Sequence, residues 1–170
     1  MSNKEIRVAV IGVGNCAKSL IEGVQYYKAN PQDTVGLMYA DIGGYGVDNI
    51  KFVCGFDVDI RKVNKPLKEA LRAKPNCAMD HVDVIDDTAI EVGAMVYSGP
   101  LLDGVPDYML NFPEDVSFRI GAIPAEPFER VVELLKYHKV DVIINYLPVG
   151  SEQATEFYVQ AALAARVNFV

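Results

Sequence analysis

The chain has 170 residues, half of them hydrophobic and under a quarter charged, which suits one globular domain and excludes a disordered polypeptide. Its formal net charge of −7, with acids and bases interspersed, leaves no basic footprint for nucleic acid or an anionic membrane surface, so neither is expected as a partner. Cys16, Cys54 and Cys77 form no CxxC pair and no Cys/His cluster, so neither zinc nor a disulfide framework is expected.

The first strand is predicted over residues 7–11, where Val8, Ala9, Val10 and Ile11 run directly into Gly12. A short β-branched run bounded by glycine reads as a strand buried on both faces, as in parallel sheets. Beyond the glycines, Ala17, Leu20, Ile21 and Val24 recur at helical spacing as far as Tyr27. Residues 31–49 are polar, glycine-rich and without period, and read as a long insertion loop. Residues 51–56 form the next strand, ending in Asp57-Val58-Asp59. A helix is expected from Pro66, with Leu67, Ala70 and Leu71 facing inward. Residues 76–107 are the least periodic stretch and contain a candidate strand at 94–97 and a turn-rich run at 98–104.

Near the C-terminus the alternation returns. Pro127 can open a helix whose apolar stripe is Phe128, Val131, Val132 and Leu135. Residues 140–146 read as a buried strand broken by Pro148-Val149-Gly150, and Ser151 is placed to cap a helix through Ala165. Ala154, Phe157, Tyr158, Ala161 and Ala162 would share its inner face. Asn168-Phe169-Val170 opens one more strand, so the sheet reads as truncated before it is complete. Strands alternating with helices predict the α/β class, a Rossmann-like doubly wound parallel sheet formed by residues 1–170 as one domain. No basic-then-apolar leader is visible and no apolar run approaches the ~18 residues of a membrane span, so a cytoplasmic setting is expected.

The chemistry concentrates in Gly12-Val13-Gly14-Asn15-Cys16-Ala17, which fits G-x-G-x-x-A between a strand and a helix. The first glycine permits a sharp turn, the second lets backbone approach a pyrophosphate, and the small third position lets helix and strand pack closely. Free N–H groups and the positive end of the helix dipole then supply the donors that an acidic protein lacks elsewhere. The pattern expects an acid at the end of the second strand to bind the adenosine ribose. Asp57 has that position, 43 residues after Gly14 rather than the usual ~20, and the insertion loop accounts for the excess. Asp59 could serve as well. An acid here favours NAD over NADP, whose 2′-phosphate it would repel. Cys16 lies where a helix terminus could lower a thiol pKa, though a small loop residue without chemistry is the better reading. His81 and His138 have no partner at catalytic or metal-binding spacing, no metal site is expected, and Lys18, Lys65 and Lys68 read as solvated charges.

The glycine loop continues as Lys18-Ser19-Leu20 and, with Gly23-Val24-Gln25-Tyr26-Tyr27, resembles the start of prokaryotic inositol-3-phosphate synthases. Three further stretches share the resemblance: residues 51–59, Gly99-Pro100-Leu101-Leu102-Asp103-Gly104, and residues 145–152, in which Tyr146-Leu147-Pro148-Val149-Gly150-Ser151 is not a generic Rossmann pattern. The resemblance implies an isomerase of inositol and phospholipid biosynthesis that converts D-glucose 6-phosphate to 1D-myo-inositol 3-phosphate, using NAD without net consumption. Oxidation, enolisation, aldol closure and reduction are the implied steps, in a homotetrameric assembly. It further implies that Gly12, Gly14, Asn15 and Cys16 wrap the pyrophosphate and that Asp57 takes the ribose. Tyr146, Leu147, Pro148, Val149 and Gly150 would pass beside the cofactor, and Ala125 would make a further contact. The family's essential lysines lie beyond residue 170, so this chain would hold NAD without turning over substrate, and its catalytic residues cannot be named from it. Asn64-Lys65-Pro66 departs from the family pattern. A generic NAD-dependent sugar or hydroxy-acid dehydrogenase, or a non-catalytic NAD-binding module, would share the loop and Asp57 but not residues 146–151.

Overall fold

A computed structural model describes residues 5–105 and 107–170 of the chain. Its strands are β1 (Ile6–Ile11), β2 (Ile50–Asp57), β3 (Val96–Ser98), β4 (Val142–Asn145) and β5 (Asn168–Phe169). The helices are α1 (Asn15–Ala29), α2 (Leu67–Ala70), α3 (Phe128–Tyr137) and α4 (Glu152–Ala165). The strands pair in parallel in the order β3-β2-β1-β4-β5. This is the order of a doubly wound Rossmann-type sheet, and it reverses direction between β1 and β4.

The central place of β1 explains its unbroken apolar run. Val8 and Val10 face one core, shared with Ala17, Ile21 and Val24 of α1 and with Leu67 and Ala70 of α2. Ala9 and Ile11 face the other, shared with Val131, Leu134 and Leu135 of α3 and with Tyr158, Ala161 and Ala162 of α4. Alternate side chains of one strand therefore serve two helical layers. The 31–49 stretch is a loop with a tight turn closed by the pairing of Ile42 with Tyr45 and a helical turn at Val47–Asn49, and it carries exposed Val35, Met38 and Ile42.

Several local expectations shift. The helix expected from Pro66 starts at Leu67 and buries Leu67, Ala70 and Leu71, but it is only one turn long. The expected strand at 94–97 pairs with β2 only over Val96–Ser98, and the strand expected over 140–146 is regular only over Val142–Asn145. Ser151 holds the position before α4, but its hydroxyl makes no cap bond and is buried with no hydrogen-bond partner among the described residues. Lys18 is buried rather than solvated, its ammonium bound to the carbonyl of Ala78 and the carboxylate of Asp80.

Candidate cofactor site

The glycine loop leaves β1 at the point where the strand order reverses, and hydrogen bonds fix it from both sides. The Gly12 N–H donates to the carbonyl of Phe56 on β2 at 2.9 Å. The Tyr146 N–H, just past β4, donates to the carbonyl of Ile11 at 2.8 Å. Gly12 has φ +82, and a Cβ there would stand 2.8 Å from the Tyr146 carbonyl oxygen, so only glycine fits. Gly14 differs: a Cβ there would meet no other heavy atom within 4 Å. Open space above the second glycine is where a ligand's backbone-facing group could approach. Ala17 is fully buried, as the close packing of α1 on β1 requires.

The first backbone bond of α1 runs from the Lys18 N–H to the Gly14 carbonyl at 3.0 Å. The earlier amides, of Asn15, Cys16 and Ala17, are the orphan donors of the helix start and could hold an anion. The Asn15 side chain faces away from this task. Its carbonyl accepts the N–H groups of Cys77 and Ala78, each at 2.8 Å, and so ties the 77–78 segment to the loop. Cys16 is exposed at the helix start.

Asp57, at the end of β2, is 8% exposed and faces the same space. One carboxylate oxygen accepts the Val13 N–H at 2.8 Å. The other accepts the N–H groups of Val58 and Asp59. Asp59, equally plausible from sequence, is unavailable. It is fully buried, and its carboxylate is engaged by the Arg61 guanidinium and by the backbone N–H groups of Arg61 and Arg119. Burial pushes its pKa up, but the Arg61 and Arg119 bonds together hold it below the ordinary carboxylate value.

Beneath Asp57 lies Lys62, whose ammonium donates to the Val13 carbonyl at 2.9 Å and to the Asn76 side-chain carbonyl at 2.8 Å, and stands 3.8 Å from Asp57. Burial lowers its pKa, and the neighbouring Asp57 and Asp59 carboxylates oppose that shift. The opposite wall is Tyr146, Leu147 and Pro148, with Ala154 and Tyr158 of α4 behind them. The cavity these residues line is about 90 Å³ and opens to solvent.

A strap from β3 closes part of the mouth. The 99–104 segment contributes Pro100, Leu101 and Gly104 to the wall. Asp103 anchors it by accepting the N–H groups of Gln153 and Ala154, at 2.8 and 3.0 Å, and thereby caps α4 in place of Ser151. Gly99 leaves room for Tyr158, whose hydroxyl a Cβ there would overlap.

Gly12, Gly14, Asp57, Tyr146, Leu147 and Pro148 therefore meet around one space, with the amides of Asn15 and Cys16 at the adjoining helix start. Val149 and Gly150 lie on the outer side of Pro148, in a shallow depression at the start of α4, where the Val149 side chain is fully exposed. Ala125 is exposed and does not line the space, although the next N–H, that of Glu126, bonds to the Ser98 carbonyl at the end of β3.

No protein-family model matches the chain. Curated relatives do. An inositol-3-phosphate synthase of Corynebacterium glutamicum is 46% identical over the whole chain, which covers 44% of that protein. The Mycolicibacterium smegmatis enzyme of the same name is 45% identical over 98% of the chain and 43% of its own length. The Mycobacterium tuberculosis H37Rv enzyme is 44% identical over 99% and 43%. The chain is homologous to the inositol-3-phosphate synthases. It matches their N-terminal part and spans less than half the length of these relatives. Among solved structures, one described as Ari2 superposes with a TM-score of 0.76 at 32% identity, over 98% of this chain and 44% of that one. A myo-inositol-1-phosphate synthase-related protein from Thermotoga maritima superposes at 0.69 and 21% identity, over 97% and 47%, which establishes the shared fold.

Within this synthase-like chain, sequence reading misses Lys62, Asn76, Asp103 and Tyr158. Lys62 and Asn76 carry no motif, and each reaches the Val13 carbonyl only through folding. Tyr158 reads as an ordinary core residue of α4. Asp103 lies within a stretch shared with the family, which marks the segment without revealing its contact. Among the described residues, no group of three metal-ligating side chains converges and no helix is long and apolar enough to cross a membrane.

Proposed function

We propose that this chain is the NAD-binding part of an inositol-3-phosphate synthase that acts on D-glucose 6-phosphate. One observation carries the reading: an open-topped Gly14 and the free amides of α1 lie beside the Asp57 carboxylate at the reversal point of a parallel sheet. Open α/β sheets bind ligands at such points. The residues present fit a dinucleotide. The amides of Asn15 and Cys16, with Gly12 and Gly14, would hold the pyrophosphate, and Asp57 would hold the ribose and disfavour a 2′-phosphate. Tyr146, Leu147 and Pro148 would exclude water along the cofactor, with Val149, Gly150 and Ala125 as outlying contacts. When bound, NAD supplies a hydride acceptor that is regenerated in the same cycle. The conversion to 1D-myo-inositol 3-phosphate needs cationic groups for the phosphate and the enolate. In this reading those groups come from the region that the relatives carry beyond the matched part, and the working enzyme is a cytoplasmic homo-oligomer.

The chain has no tryptophan, so the fluorescence of bound NADH can be followed without interference. Saturable enhancement by NADH, with NADPH binding weaker, is expected. Absence of NADH binding, or tighter binding of NADPH, overturns the cofactor assignment. Phosphorus NMR of the chain with glucose 6-phosphate and NAD should show no inositol phosphate, whereas the protein extended to the length of its relatives should produce it. Light scattering of the extended protein tests the oligomer.

A further inference from the structure

The glycine loop is gripped through a single peptide unit on each side of Val13. Its N–H is held by Asp57, and its carbonyl accepts from both the Lys62 ammonium at 2.9 Å and the Asn76 amide at 3.0 Å. The Asn76 side-chain carbonyl in turn accepts a hydrogen bond from the Lys62 ammonium, and its amide donates to the Leu71 carbonyl, which fastens the cluster to the end of α2. Gly55 of β2 makes room for the Val13 side chain, since a Cβ there would lie 2.8 Å from it. Val13 is thus fixed by side chain, donor and acceptor.

Lys62 is the most deeply buried charge of this cluster, and its burial cost calls for a compensating role. It is 1% exposed, and removing an ammonium from water is expensive unless it is paired and hydrogen-bonded. A neutral side chain could pack in the same place. What a neutral group could not provide is a positive charge 3.8 Å from the Asp57 carboxylate, within the wall of the same space. Charges interact strongly at that distance in a poorly solvated setting. The other charged groups facing Lys62 are Asp59 and Arg61, in the turn after β2, and they largely satisfy each other.

We infer that Lys62 is a positioning residue that fixes the glycine loop through Val13 and, by offsetting Asp57, sets how strongly the site discriminates NAD from its 2′-phosphorylated form. This rests on the NAD-binding reading above. Asp57 alone would reject a 2′-phosphate by repulsion; Lys62 beside it moderates that rejection while keeping the carboxylate aimed at the loop.

The test measures NADH and NADPH dissociation constants, with melting temperature as the fold control, for the parent chain, Lys62→Met, Asp57→Asn and the double variant. Met keeps the length of the side chain and removes its charge. Lys62→Met is expected to weaken NADH about tenfold through the loosened loop and NADPH more strongly still, so that the selectivity ratio widens. In the double variant the charge pair is gone from both sides, and the ratio should return toward that of the parent. If Lys62→Met alone does not fold, the comparison of the double variant with Asp57→Asn reads the same charge effect. An unchanged ratio, including equal weakening of both dinucleotides, overturns the inference while leaving the NAD reading intact. Failure of the parent chain to bind either dinucleotide overturns the NAD reading itself.

Discussion

The carbonyl oxygen of Tyr146 occupies the space that a side chain on Gly12 would need, 2.8 Å from its Cβ position. The first glycine of the loop and the first residue past β4 therefore form one packed unit, and the second glycine does not share that constraint. Gly12→Ala should strain a positive-φ backbone, at roughly 1–2 kcal/mol, and add a clash with Tyr146. Gly14→Val should leave the melting temperature near that of the parent while NADH affinity collapses. Thermal melts and NADH titration of the two variants separate these roles; a Gly14→Val protein that still binds NADH normally would refute the loop assignment.

Asp57 holds backbone as well as facing the open space, so the choice of replacement matters. Asp57→Asn retains an acceptor for the Val13 N–H but loses the charge, and should weaken NADH by about 1–3 kcal/mol while narrowing the preference over NADPH. Asp57→Ala should also lower stability, because the N–H groups of Val13, Val58 and Asp59 lose their partner. Calorimetric titration with both dinucleotides, alongside thermal melts, distinguishes the two effects.

Asp103 links the strap to α4 across 50 residues of chain. Its carboxyl lies below the ordinary value: partial burial acts to raise it, and the N–H bonds from Gln153 and Ala154 outweigh that. Asp103→Ala removes both cap bonds and should lower the melting temperature by a few degrees and weaken NADH modestly through the loosened Pro100 and Leu101. Hydrogen exchange should accelerate at Gln153 and Ala154 and remain unchanged in α1. Uniform acceleration would show that Asp103 supports the whole domain instead.

His138, at the end of α3, is hydrogen-bonded through Nε2 to the Tyr97 hydroxyl at 2.8 Å. Burial lowers its pKa below 6.5, Arg7 adds to this, and Glu91 opposes it. The folded protein therefore disfavours the charged ring. The sign follows directly: the stability His138 contributes is complete above about pH 6.5 and fades as pH falls below it, because the unfolded chain takes up the proton first. The melting temperature should drop by a few degrees between about pH 7 and about pH 5. That slope should flatten in His138→Gln, and an equal slope in both proteins would assign the transition to other groups.

The parts of this protein legible in its sequence are those carried by neighbours along the chain. Residues 8–11 alternate between two cores only because β1 lies at the centre of the sheet, yet their continuous apolar character already implied burial on both faces. Gly12, Gly14 and Ala17 stand at fixed spacing at a strand–helix junction, so local geometry announces them, and the stretches at 51–59, 99–104 and 145–152 carry the family resemblance that the relatives bear out. The start of α2 and its buried Leu67, Ala70 and Leu71 were legible, but the absent Ser151 cap is decided by tertiary contact: Asp103, from the strap, takes the Gln153 and Ala154 N–H groups.

What sequence by itself determined is the class of sheet, the position of the glycine loop and the kinship with the synthases. Each rests on a pattern repeated within a few residues, or on a stretch long enough to be distinctive. Tertiary structure alone decided that Asp57 rather than Asp59 faces the open space, that Lys62 and Asn76 grip Val13, and that Asp103 ties the strap to α4. In these cases the partners lie far apart in the chain, or, for Asp57 and Asp59, two residues apart with opposite environments. A carboxylate's role follows from which donors surround it and how deeply it is buried, and those properties exist only once β1, β2 and β4 have brought their ends together.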